Sequence, residues 1–176
     1  MFDKEYSFKG RHAVRVNELT MNFDGKGEGK GNKLFLRNYD VYLLAPIVGF
    51  LYQRRADIDT STDVSPTKIF AEILMKNSDE LKFNYRMIML LDKNYEADIE
   101  KRIDKAFRGN ESPEDIERYE QYVRGGVDLL YEKLMENVTN PDEYVLRLYD
   151  FLEEFDERYN QTINIDNVLE ACRKIK

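Results

Sequence analysis

Cysteine is almost missing from this chain. Cys172 is the only one in 176 residues, so no intrachain disulfide can form. His12 is likewise the only histidine, and one histidine with one cysteine cannot assemble a Cys/His zinc site, which excludes a zinc enzyme. The longest apolar run, Val41 to Tyr52, falls well short of the ~20 residues of a membrane span. No apolar stretch follows a basic one near Met1, so a cytoplasmic location with no membrane partner is expected. Glycine and proline are sparse outside one loop, which points away from fibrous or disordered classes.

What is present is charge, at 35% of residues, and 42% hydrophobic content, enough for one core over residues 1–176. The charge is unevenly placed. Residues 1–55 hold ten lysines and arginines against six acids, a net +4, while residues 56–176 carry −11 of the overall −7. A basic N-terminal segment 1–55 on an acidic helical body 56–176 suggests a polyanion or an oppositely charged partner at one end.

Apolar spacing predicts an all-α, single-domain multi-helix bundle with a Gly/Lys-rich N-terminal loop. Arg11 to Phe23 reads as a helix with Ala13, Val16, Leu19 and Phe23 inward, with a short β-hairpin near residues 12–37 as the alternative. Asp40 to Arg54 is a nearly all-apolar helix interrupted by Pro46 and Gly49. Ser65-Pro66 predicts the start of a helix through Ile69, Phe70, Ile73 and Leu74, and Asn77-Ser78 caps the next. That next helix combines Leu81, Tyr85, Ile88 and Leu91 with Phe83, Met87 and Leu90, a sector too broad for a surface helix and expected to be central to the core.

Tyr95, Ile99, Ile103 and Phe107 predict one amphipathic helix. Ser112-Pro113-Glu114-Asp115 starts a long helix that runs through Gly125-Gly126, where a bend or a close neighbouring backbone is expected. A further helix from Asn140-Pro141 pairs with it, and Asn164 to Lys176, with Cys172 packed beside Val168 and Leu169, closes the fold.

Gly25 to Gly31 alternates glycine with Lys26, Glu28 and Lys30 but has neither the Walker spacing nor the dinucleotide fingerprint, so no nucleotide cofactor is expected. Asp57 to Asp63 begins like a calcium loop. Thr62 stands where its glycine belongs and Lys68 where its closing glutamate belongs, so no metal is expected there. Glu153-Glu154 and Asp156-Glu157 read as a solvated acidic face. His12, between Arg11 and Ala13, reads as a surface or phosphate contact. No grouping of residues identifies a catalytic site, and the chain reads as leaning away from an enzyme.

The block Leu36-Arg37-Asn38-Tyr39-Asp40-Val41-Tyr42-Leu43-Leu44-Ala45-Pro46-Ile47-Val48-Gly49-Phe50-Leu51-Tyr52, with Arg54-Arg55-Ala56-Asp57 and later Phe83-Asn84-Tyr85-Arg86, resembles small uncharacterised bacterial proteins found beside DNA-phosphorothioation (Dnd-type) defence genes. The resemblance implies a cytoplasmic accessory of a DNA modification or restriction system that works with larger partners. It implies no cofactor and carries over no catalytic residue.

These readings together predict a non-catalytic accessory protein. Arg11, Arg15, Lys26, Lys30, Lys33, Arg37, Arg54 and Arg55 are the candidate phosphate contacts to DNA, and the acidic body would dock a protein partner. A protein adaptor or homo-oligomer without nucleic-acid binding is the alternative, and a metal-dependent nuclease built from scattered carboxylates is a third reading.

Overall fold

Helix α6, Pro113–Leu134, organises the molecule. Ser112 caps it, its Oγ accepting the Asp115 amide at 3.1 Å, and Pro113 with Glu114 and Asp115 fills a first turn suited to proline and to acids. Every residue from Tyr122 to Leu130 is buried, so α6 is enclosed by its neighbours rather than laid on a surface. The computed structural model describes residues 2–22, 32–60, 64–109, 111–138 and 140–162.

Helix α2, Asn38–Leu51, makes the most extensive contact with α6. The two backbones meet at glycines. A Cβ on Gly126 would lie 1.8 Å from the Ala45 carbonyl oxygen, and one on Gly49 would lie 2.2 Å from that of Tyr122. Only hydrogen fits at these points. The segment after α2 then crosses α6 as a strap: the Ala56 amide donates to the Gln121 carbonyl at 3.1 Å, and Arg124 Nε donates to the Ala56 carbonyl at 2.9 Å.

Helix α1, Gly10–Leu19, packs on α6 through His12, Ala13, Val16 and Leu19. It ends at Leu19, earlier than the apolar spacing predicted: Thr20 leaves helical geometry as the C-cap, its amide shared between the Val16 and Asn17 carbonyls. No hairpin forms within the described parts of 12–37. Strand β1, Tyr6–Phe8, pairs antiparallel with β2, Thr67–Ile69, placing Tyr6 opposite Ile69 and Phe8 opposite Thr67. The helix expected from Ser65-Pro66 is therefore a strand at its start and becomes helix α3 only at Ala71–Lys76.

Helix α4, Ser78–Leu91, lies against α2 and α6. Asn77 holds its N-cap position as expected, but the side chain does not cap: its Nδ2 donates backwards to the Ile73 carbonyl at 2.7 Å. The predicted helix from Tyr95 to Phe107 is also broken. Asp92 Oδ1 accepts the Tyr95 amide at 3.1 Å and closes a turn, and Asp98 caps a short α5, Ile99–Ile103, that widens into a π-helical turn at Asp104–Arg108. Helix α7, Pro141–Thr162, packs on α6. The fold is all-α apart from the two short strands. The closing helix expected at 164–176, Cys172, Phe23 and the glycine loop at 25–31 lie outside the described residues. Among the described residues no helix is long and apolar enough to cross a membrane.

Candidate functional site

Helix α6 gathers three of the eight proposed DNA-contacting cations, each with acids interleaved. Arg11 Nη2 donates to Asp128 Oδ2 at 3.0 Å, and Arg15 pairs with the other oxygen of the same carboxylate. One turn along α6, Arg54 Nη2 donates to Glu132 Oε1 at 2.8 Å. The Arg11 amide is also held, donating to Asp59 Oδ2 at 2.8 Å. Arg37 lies apart at the start of α2, where its Nη2 donates to Asp40 Oδ1 at 2.8 Å. Lys33 and Arg55 form no ion pair among the described residues, and Lys26 and Lys30 fall outside them.

His12 is not at the surface. It is 1% exposed, with Nε2 3.2 Å from Asp128 Oδ1 but poorly aligned for a hydrogen bond. Burial alone would favour a neutral Asp128. The contacts with His12, Arg11 and Arg15 overcome that and hold the carboxyl well below the usual carboxylate range. The cluster joins α1 to α6 and leaves Asp128 fully occupied.

A second buried polar network ties the end of α4, the turn after it and the π-helical turn to α6. Arg118 Nε and the Tyr122 hydroxyl each donate to Asp92 Oδ2 at 2.8 Å. Nearby, Asp115 accepts from the Tyr95 hydroxyl at 2.7 Å and from Lys105 at 2.5 Å. Burial raises the Asp115 pKa, but hydrogen bonds from Lys105, Tyr95 and Ser112 leave it below its ordinary value. These carboxylates are partnered within the fold, and among the described residues no group of three or more His, Cys, Asp or Glu side chains is disposed to hold a metal. The 57–63 segment shows its Asp59 committed to Arg11, with residues 61–63 outside the described set.

An apolar groove runs along the outer face of α4. Leu81, Tyr85 and Ile88 are buried as the sequence predicted and Met89 is buried with them, whereas Phe83 is 66% exposed and Leu91 50%. The broad apolar sector is thus two faces, one in the core and one open. Phe83 separates two hollows. The first, about 670 Å³, is walled by Phe35, Leu43, Leu44 and Ile47; the second, about 540 Å³, by Met87, Leu90, Leu91 and Phe107. Asn84, buried at the base of the first, donates from Nδ2 to the Leu43 carbonyl at 2.9 Å and fixes α4 against α2.

Charges of opposite sign mark the two parts of this groove. Asp40, Asp79 and Glu80 rim the first hollow, and Glu80 is held by the Tyr39 hydroxyl at 3.0 Å. Lys82 and Arg86 border the second together with Asp79, which lines both hollows and leaves the second with two cations to one acid; Arg86 is 5.9 Å from the centre of the Phe107 ring. An exposed aromatic between apolar hollows, flanked by charges, has the make-up of a surface that binds an apolar side of another protein. The tyrosines along α6 and α7 divide similarly: Tyr119, Tyr122 and Tyr144 are buried, Tyr131 is half-buried, and Tyr149 is open.

Compared with protein-family models, with curated proteins and with solved structures, the chain matches none.

Proposed function

We propose that this protein is a docking module that holds a helical segment of a partner protein in the groove along α4. The carrying observation is Phe83, a large aromatic side chain 66% exposed between two apolar hollows. A groove between helices accepts a third helix through apolar side chains on one of its faces. The acids at the α2 end and the cations at the other suit the positive N-terminus and negative C-terminus of a docked helix, respectively. The resemblance to proteins encoded beside DNA-phosphorothioation genes is a ground for seeking the partner among larger components of such a system.

Direct DNA contact has less support. Arg11, Arg15, Arg37 and Arg54 all have carboxylate partners, which reduces the positive potential they offer to phosphates. The test is affinity capture from cells that encode the protein, followed by titration of the purified captured protein against wild type and Phe83→Ser. The expected result is a loss of about tenfold or more in affinity, with the unfolding midpoint unchanged. Equal affinity for both would overturn the groove as the binding surface. A labelled DNA duplex serves as the comparison, because low-salt binding abolished by Lys26→Glu with Lys30→Glu would favour the nucleic-acid reading instead.

A further inference from the structure

Helix α7 presents two apolar faces, and the other described residues cover only one. Tyr144, Phe151 and Phe155 turn inward, and Phe151 stacks on Tyr52 with ring centres 6.3 Å apart. Lys133 pairs with Glu154 at 2.6 Å, and Arg158 lies 4.1 Å from the centre of the Tyr52 ring, so these two polar residues belong to the same inward side. Val145, Tyr149 and Leu152 follow one another at spacings of four and three along the adjacent face, with Leu148 between that face and the core. They are 60%, 65% and 56% exposed.

The chemistry of what would cover this stripe follows from its borders. Helix α7 contains seven acids and two arginines, a net −5, and one of those arginines is the one stacked on Tyr52. Asp142, Asp150, Glu153, Asp156 and Glu157 are all exposed. A second copy of α7 would bring another net −5 against the first, and repulsion would oppose the apolar gain. A cationic helix would add attraction to it.

We propose that the open face of α7 is a second docking surface, whose occupant is a basic amphipathic helix of a partner protein. The surface is separate from the α4 groove, so the module could bridge two proteins. Apolar side chains of the incoming helix would cover Val145, Tyr149 and Leu152, while its lysines or arginines would lie near the exposed acids. Affinity would fall as salt rises.

The experiment is fluorescence anisotropy on the full chain with a labelled leucine-lysine peptide of roughly five helical turns, its leucines at helical spacing. A leucine-glutamate peptide of the same pattern is the control. The lysine peptide is expected to bind wild type and Phe83→Ser equally, and to bind Val145→Ser/Leu152→Ser about tenfold more weakly, a difference of about 1.4 kcal/mol. The control peptide should not bind. Urea unfolding of the double variant should match wild type, since both side chains are exposed, and Leu146→Ser, outside the stripe, should leave binding intact.

Absence of binding, equal binding to the double variant, or loss of binding on Phe83→Ser alone would overturn the proposal. So would a dimer, seen by light scattering, that the double substitution dissociates, because the occupant would then be a second copy. Failure here leaves the α4 groove standing, because that surface is probed by Phe83→Ser and its own captured partner.

Discussion

Gly126→Ala tests the packing on which the whole fold rests, because two known effects pull in opposite directions. In an isolated helix alanine is better than glycine by about 1 kcal/mol, so a helix limited by propensity would gain stability. Here the added Cβ would stand 1.8 Å from the Ala45 carbonyl oxygen and 2.5 Å from its carbon. Both belong to the backbone of α2, so no side-chain rotation can relieve the overlap. The two helices must separate along their most extensive contact. Overpacking of a core by one carbon costs about 1–3 kcal/mol even where side chains can adjust, and a rigid backbone neighbour places this site at or beyond the upper end.

A net loss of about 2 kcal/mol or more is expected after the propensity gain is deducted. For a chain of this size that is a fall of roughly 4–8 °C in melting temperature. Urea unfolding followed by circular dichroism measures it, with Gly109→Ala as the comparison, since a Cβ there meets nothing closer than the Asp104 carbonyl oxygen at 3.1 Å. Gly125→Ala should fall between the two, because its overlap, 2.2 Å from the Arg54 carbonyl oxygen, is with the strap rather than with a helix. A Gly126→Ala protein as stable as wild type, or more so, would refute the backbone contact between α2 and α6.

Asp128→Asn should destabilise the fold by about 1–3 kcal/mol, the usual cost of losing charged hydrogen bonds at a buried carboxylate, because Arg11 and Arg15 lose their anion but keep access to water. Its pH dependence has a definite sign. The folded carboxyl titrates below its ordinary value, so its stabilisation is complete above about pH 4 and is lost as pH falls through the folded value. Urea midpoints from neutral pH into the acid range should therefore converge for wild type and Asp128→Asn; a gap that stays constant would show that ionisation of Asp128 contributes nothing. Ser112→Ala removes the acceptor for the Asp115 amide and should cost about 1 kcal/mol, read as a lower melting temperature with unchanged helical signal at low temperature.

The helices that were legible in the sequence are those whose signals are local. Ser112-Pro113 and Asn140-Pro141 mark the starts of α6 and α7, and the glycine pair pointed to a close backbone that is found as Ala45 and Arg54. Ser65-Pro66 has the same form as Ser112-Pro113 yet precedes a strand. The difference is non-local: Thr67–Ile69 have Tyr6–Phe8 as a partner, some sixty residues away, and no window of sequence contains both. The break in the Tyr95–Phe107 helix was visible in kind but outweighed by periodicity, since Asp92 and Asp98 are both turn and cap formers. Apolar spacing also cannot distinguish a core face from an open one. The stripes on α4 and α7 that remain exposed have the same composition as those that are buried.

Charge shows the same limit from another side. Counting residues 1–55 returns an excess of cations, and that excess is real, but potential is set by neighbours in space. Arg11, Arg15 and Arg54 came from the basic segment, while two of their partners, Asp128 and Glu132, came from the acidic body more than seventy residues further along. The split that suggested an electropositive patch is in this part of the molecule the means by which α1 and the strap are fastened to α6. A helix that holds its neighbours through glycine contacts and buried carboxylates has its central turns, Tyr122 to Leu130, wholly used inside the fold, while the outer faces of α4 and α7 keep Phe83, Leu91, Val145, Tyr149 and Leu152 open.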